Sequence, residues 1–135
     1  MAARNENYHS LIKKNYKKKL ILIDRFIDST IAYQHYGMGI NKNIIDNLNK
    51  LILKNIKVDF TFLNIVNMKN LKIRLKKRSK NNRYDTFKTT FYQKVQKGYI
   101  KLSNNKKKYM VIDSNDQISE NKKKIIKKLS TLLSI

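Results

Sequence analysis

The sequence predicts an α/β domain in which three short strands alternate with helices, and three observations carry that reading. The only uninterrupted aliphatic run, Leu20-Ile21-Leu22-Ile23, closes on Asp24-Arg25, the pattern of a strand buried on both faces that ends at a polar site. Residues 58–66 (VDFTFLNIV) and 109–113 (YMVID) repeat the β-branched and aromatic composition, the second again closing on an acid. Apolar residues recur at helical spacing between these runs and after the last, so each strand is followed by helix, as in βαβ proteins. In open sheets of this kind ligands bind just beyond the carboxyl ends of the strands.

Taken in order, Tyr8, Leu11, Ile12 and Tyr16 mark a first helix, and the basic turn Lys17-Lys18-Lys19 leads into strand 20–23. A helix begins at residues 29–36 and is interrupted at Gly37-Met38-Gly39. The next helix carries one apolar stripe, Ile44, Ile45, Leu48, Leu51, Ile52 and Ile56, and strand 58–66 follows it. Helical stretches near 68–78 and 86–103 come next, separated by the polar residues 79–83; Phe87, Phe91, Val95 and Leu102 line one face of the second. After strand 109–113 the final helix places Ile125, Ile126, Leu129, Leu132 and Leu133 together. There is no proline, repeat or linker composition, so residues 1–135 read as one domain.

A chain of 135 residues suits a modest core, with roughly two thirds of the unfolded surface buried at this size. Its formal charge of +22 would ordinarily point to nucleic acid or another polyanion. Lys, Asn and Ile together supply 61 of the 135 residues, however, and these are residues of A/T-rich codons, which gives much of the basicity a genomic origin. The absence of cysteine excludes a disulfide framework and a thiolate metal site. No apolar run approaches the roughly 20 residues of a membrane-spanning helix and no signal-peptide core opens the chain, so a cytoplasmic location is expected.

Candidate chemistry concentrates at Asp24 and Arg25. A guanidinium can hold a phosphate bidentately and stays charged when partly desolvated, whereas a strand-end ion pair would need no such fork. On an α-helix, Ser29, Thr30 and Tyr33 lie three or four apart and present hydroxyls on one face. Arginine usage narrows the choice further: with 26 lysines and five arginines, a generic positive charge is met by Lys, and Arg4, Arg25, Arg74, Arg78 and Arg83 become the positions that require a guanidinium. His9 and His35 stand alone, without a second ligand or base at useful spacing. Runs 17–19, 106–108 and 122–124 of lysine read as solvated faces and turns.

Asp24-Arg25-Phe26-Ile27-Asp28-Ser29-Thr30-Ile31-Ala32-Tyr33-Gln34 closely resembles the DR[YF]-x-D-S-[ST]-x-A-Y-Q motif of bacterial thymidylate kinases. Further resemblances occur in the same order: Ala2-Ala3-Arg4 to A-x-R, Gly37-x-Gly39 to Y-G-x-G, and Asp59-Phe60-Thr61 to P-D-L-T. Arg74, Arg78 and Arg83-Tyr84-Asp85 are similar to the R-x-x-x-R and D-R-I-E of the family's lid, and residues 91–102 to F-x-x-R-V-R-x-G-Y-L-x-L. Asn82 stands where the family has Asp, and Lys94 and Gln96 replace two arginines.

The resemblance implies phosphoryl transfer from ATP, with Mg²⁺, to dTMP on a partial P-loop NTPase fold of three parallel strands with flanking helices. It implies that Arg25 grips the dTMP phosphate, that Asp24 supports the Mg²⁺ and water network indirectly, and that Arg4, Ser29, Thr30, Tyr33 and Gln34 shape the nucleoside pocket. Arg74, Arg78, Arg83 and Asp113 fall on the ATP side, with Arg78 or Arg83 as the catalytic lid arginine. The G-x-x-x-x-G-K-[ST] phosphate cradle of such kinases is not in this sequence, whose three glycines are not so arranged. Against the family pattern the chain starts within the third major helix, so it is expected to be a carboxyl-terminal portion without the first two strands, inactive alone, dependent on a separate P-loop fragment and homodimeric when complete. A small basic RNA- or ribosome-binding protein and a non-catalytic remnant of the kinase fold are the alternative readings.

Overall fold

The computed structural model describes residues 2–77 and 87–134, which fall into two compact units, Met1–Val58 and Asp59–Ile135. In the first unit, α1 (Ala2–Asn7) passes through a π-helical turn, Tyr8–Ile12, into α2 (Lys13–Asn15). Tyr8 and Ile12 are buried. The rod stops where Lys17 takes a left-handed φ of 63° and the Lys18 and Lys19 amides both donate to the Asn15 carbonyl. The Tyr16 hydroxyl accepts from the Lys57 amide at 3.1 Å and ties this end of the helix to the far end of the unit's sequence.

Residues 20–23 depart from expectation. They form no ladder among the described residues, and Leu20 and Leu22 are 61 % and 77 % exposed. Aliphatic, β-favouring composition makes a strand possible; only a hydrogen-bonding neighbour makes one. Of the three expected strands, two are therefore present as strands among the described residues.

Beyond the run, α3 (Ile27–Thr30) continues directly as a π-helix, Ile31–Gly37, whose Ile31 and Ala32 are buried. Helix α4 (Lys42–Leu53) starts where the Asn41 side chain accepts from the Asn43 amide at 2.9 Å, an ordinary Asn N-cap. Ile45, Asn49 and Leu53 form its buried face, and it packs against α1 and the π-helix.

The second unit is built on one parallel pair, β1 (Thr61–Ile65) and β2 (Tyr109–Asp113), with Thr61 opposite Tyr109 and Ile65 opposite Asp113. Strand β1 starts later than the apolar run 58–66 because the neighbouring chain is in a turn before Tyr109: the Lys108 and Tyr109 amides both donate to the Asn105 carbonyl, leaving no ladder partner for residues 59–60. The crossover between the strands contains α5 (Met68–Lys76) and α6 (Thr89–Leu102), and α7 (Ile118–Leu133) follows β2. Asn67 caps α5 by accepting from the Asn70 amide at 2.8 Å. Leu63, Val95 and Ile112 are the buried apolar residues among the described residues of this unit. Phe60 meets Phe62 edge to face at 5.2 Å and carries the Lys128 ammonium 5.0 Å above its ring.

Ile112 is 2 % exposed in the strand that organises this unit. Ile112→Ala is expected to lower unfolding stability by about 2–5 kcal/mol, the range for emptying a buried aliphatic site, measured by urea denaturation. Leu20→Ser combined with Leu22→Ser is expected to reduce light scattering of the purified chain without moving its urea midpoint. A large fall in the midpoint would mean that the run is buried in solution.

Candidate functional site

The segment after residues 20–23 is shaped by an unusual backbone. Arg25 adopts a left-handed φ of 60°, a region that a long unbranched side chain enters only when its surroundings compensate. The bend turns the chain into α3, which places Ser29 one turn on: the Arg25 Nε–H points at Ser29 Oγ across a long 3.4 Å. The guanidinium carbon lies 4.7 Å from the centre of the Tyr33 ring. Arg25 and Asp24 are exposed, while Ser29, Thr30, Tyr33 and Gln34 are half-buried.

Helical spacing alone would group Ser29, Thr30 and Tyr33 as an α-helical face. Instead the helix widens from Ile31 onward, with the Met38 amide donating to the Tyr33 carbonyl at 3.0 Å in the i→i+5 pattern. Ser29 and Tyr33 meet around Arg25. The widened turn is closed by three bonds: Gly39 amide to His35 carbonyl at 2.8 Å, Ile40 amide to Gln34 carbonyl at 2.9 Å, and His35 Nδ1 to the Ile40 carbonyl at 2.9 Å. A carbonyl only accepts, so His35 Nδ1 carries the proton, and this histidine pins the turn. Gly39 has φ 79°, where a residue with a Cβ would be strained although the space is open.

In the second unit the chain leaving β2 is held by a hydrogen-bonded hub. Asp113 accepts from both the amide and the side chain of Asn115, and its carbonyl accepts from Asn121 Nδ2 at 2.6 Å. Asn115 Oδ1 in turn accepts from the Asn67 amide at 3.3 Å and from Asn70 Nδ2 at 2.8 Å. Arg74 Nη2 donates to the Ser114 carbonyl at 2.7 Å. Arg74 and Asp113 are thus joined through one loop. Asn67, Asn70 and Asn115 were not singled out from sequence. Asn67 ahead of an apolar helical run was the available sign, since Asn is a favoured cap. Nearby, Lys124 is held above the ordinary lysine range by its hydrogen bond to Asp116 at 2.8 Å; being exposed, the pair adds little stability.

Two expected lid residues, Arg78 and Arg83, lie outside the described residues, as does the side chain of Arg4, whose backbone belongs to α1. Among the described residues no three His, Cys, Asp or Glu side chains gather as a metal site. No helix among them is long and apolar enough to cross a membrane.

The thymidylate kinase family model matches residues 1–125. The chain is 37 % identical over 124 residues to a thymidylate kinase of Mycoplasma capricolum, covering 89 % of this chain and 58 % of that protein. It is 35 % identical over 129 residues to one of Sulfurihydrogenibium, covering 93 % and 62 % respectively. In three dimensions it is similar to the crystal structure of thymidylate kinase from Ehrlichia chaffeensis, with a TM-score of 0.70 and 33 % identity over 96 % of this chain and 60 % of that one. The likeness carries the P-loop NTPase fold, of which the β1–β2 pair and its crossover helices are a part. The chain spans about three fifths of the length of these relatives. With a family match over nearly all of its residues, the chain belongs to the thymidylate kinase family.

Proposed function

We propose that this chain forms part of an enzyme that transfers the γ-phosphoryl group of ATP to thymidine 5′-monophosphate, giving the diphosphate for dTTP synthesis. The observation that carries the reading is Arg25, aimed by a left-handed backbone, stacked on Tyr33 and set beside Ser29. Phosphoryl transfer asks the protein chiefly to position and neutralise charged oxygens, and a fixed guanidinium does both. In this reading Arg25 grips the acceptor phosphate. Tyr33 lies against the deoxyribose, Ser29, Thr30 and Gln34 line the nucleoside pocket, and Arg4 reaches the thymine. Arg74 and Asp113 belong to the ATP side, where the Asn115 hub supports their loop, and Arg78 and Arg83 supply lid charge during transfer.

Mg²⁺ enters with ATP. A single exposed carboxylate such as Asp24 suits a metal that keeps its waters and is held mainly by substrate phosphates, and Asp24 would meet it through water. The ion neutralises charge on the transferring oxygens. The same reading makes residues 1–135 one kinase-like domain in a cytoplasmic protein that forms a homodimer when complete. The phosphate cradle, a motif not found in residues 1–135, would come from outside them.

Purified residues 1–135 are expected to show no dTMP-dependent ATP consumption above background. Co-expression with the P-loop segment of a homologous kinase is expected to restore it; turnover of about 1–100 per second by the chain alone would remove the need for that segment. In the reconstituted enzyme Arg25→Lys keeps the charge but loses the fork, and should weaken dTMP use by about 1.5–3 kcal/mol in kcat/KM. Lys18→Ala, on the exposed lysine turn, should change little, and the reverse pattern would move the site away from Arg25. Arg83→Lys should lower kcat more than it raises the KM for dTMP, because a lid contact forms chiefly as charge develops.

A further inference from the structure

The hold on Arg25 is uneven. Its bond to Ser29 Oγ is long at 3.4 Å and contributes little direction. The Tyr33 ring, with the guanidinium carbon 4.7 Å from its centre, is well inside cation–π range. The Nη groups, the two tips of the fork, make no hydrogen bond among the described residues, so the ring orients the guanidinium without occupying the atoms that would receive an anion. Tyr33 is itself set by the π-helical turn, which carries its carbonyl to the Met38 amide and is locked by His35 and Gly39. Backbone strain at Arg25 and a widened helix at Tyr33 thus meet on one pair of side chains.

We infer that Tyr33 is a positioning residue for phosphate recognition: the face of its ring orients the Arg25 guanidinium so that the free Nη edge presents to a nucleoside 5′-monophosphate. The inference rests on the dTMP reading and adds to it a second task for a ring otherwise placed only against the sugar. The two tasks separate in the ligand. A ring that packs on deoxyribose strengthens nucleoside and nucleotide alike, whereas a ring that aims Arg25 strengthens only the ligand carrying phosphate.

The test is NMR titration of the 135-residue chain with thymidine and with dTMP, reading the preference for the phosphorylated ligand as the ratio of the two dissociation constants. Tyr33→Phe keeps the ring face and is expected to keep the preference. Pentafluorophenylalanine at position 33 keeps ring shape but withdraws the negative face, and is expected to lower the preference about two- to fivefold relative to Tyr33→Phe, the span of an exposed cation–π contact. In an Arg25→Ala background the same fluorination is expected to leave the ratio unchanged, because the partner is gone. A wild-type chain that binds dTMP no better than thymidine would overturn the dTMP reading together with this inference. A clear wild-type preference that fluorination leaves intact, or a fluorination effect that persists without Arg25, would overturn the inference alone.

Discussion

A parallel strand pair cannot be joined by a tight turn, and much of the second unit follows from that constraint. With Thr61 opposite Tyr109 and Ile65 opposite Asp113, both strands point their carboxyl ends the same way, and the intervening chain must travel back the length of the sheet. Helices α5 and α6 make that return. The same geometry brings the residues after Ile65 beside those after Asp113, which is why Asn67 and Asn70 can bond to Asn115, 48 and 45 residues away. The Ser114 amide extends the ladder by donating to the Ile65 carbonyl at 2.8 Å, and Arg74 closes the loop from α5.

In the first unit the organising feature is a sharp change of direction rather than a ladder. Exposed aliphatic residues lead into a left-handed arginine, a short α-helix and a π-helical turn within 18 residues, 20–37. Departures of this kind cost free energy and persist where neighbouring contacts compensate. Here the compensation is visible in the buried Ile31 and Ala32 beneath the helix and in the carbonyl and histidine bonds that end it.

The large positive charge plays a smaller part than its size suggests. Most lysines occupy exposed positions, and few carry a resolved role; Lys42 pairs with Asp46 at 2.6 Å and Lys124 with Asp116, both at the surface. The two arginines with described side chains each engage a specific partner, Arg25 the Tyr33 ring and Arg74 the Ser114 carbonyl.

The sequence by itself determined the span of β2, the helices on either side of it and the grouping of Asp24, Arg25, Ser29 and Tyr33 in one segment. These are local properties: side-chain periodicity and residue type act within a few positions and survive any tertiary arrangement. Of the stripe expected on α4, by contrast, only Ile45 is buried, Ile44, Leu48 and Leu51 being exposed and Asn49 and Leu53 completing the buried face. What only the tertiary structure decided depends on distant neighbours. Residues 20–23 have a strand's composition, yet they pair with no strand among the described residues, and Leu20, Leu22 and Ile23 are exposed. Residues 59–60 fall outside β1 because the chain opposite them is turning at Asn105. The π-helical turn replaced the α-helical face expected for Ser29, Thr30 and Tyr33, since its register is selected by bonds that reach forward to Met38, Gly39 and Ile40. The asparagine hub around Asp113 joins positions more than forty residues apart, and no short-range pattern encodes a contact that exists only once two parallel strands lie side by side.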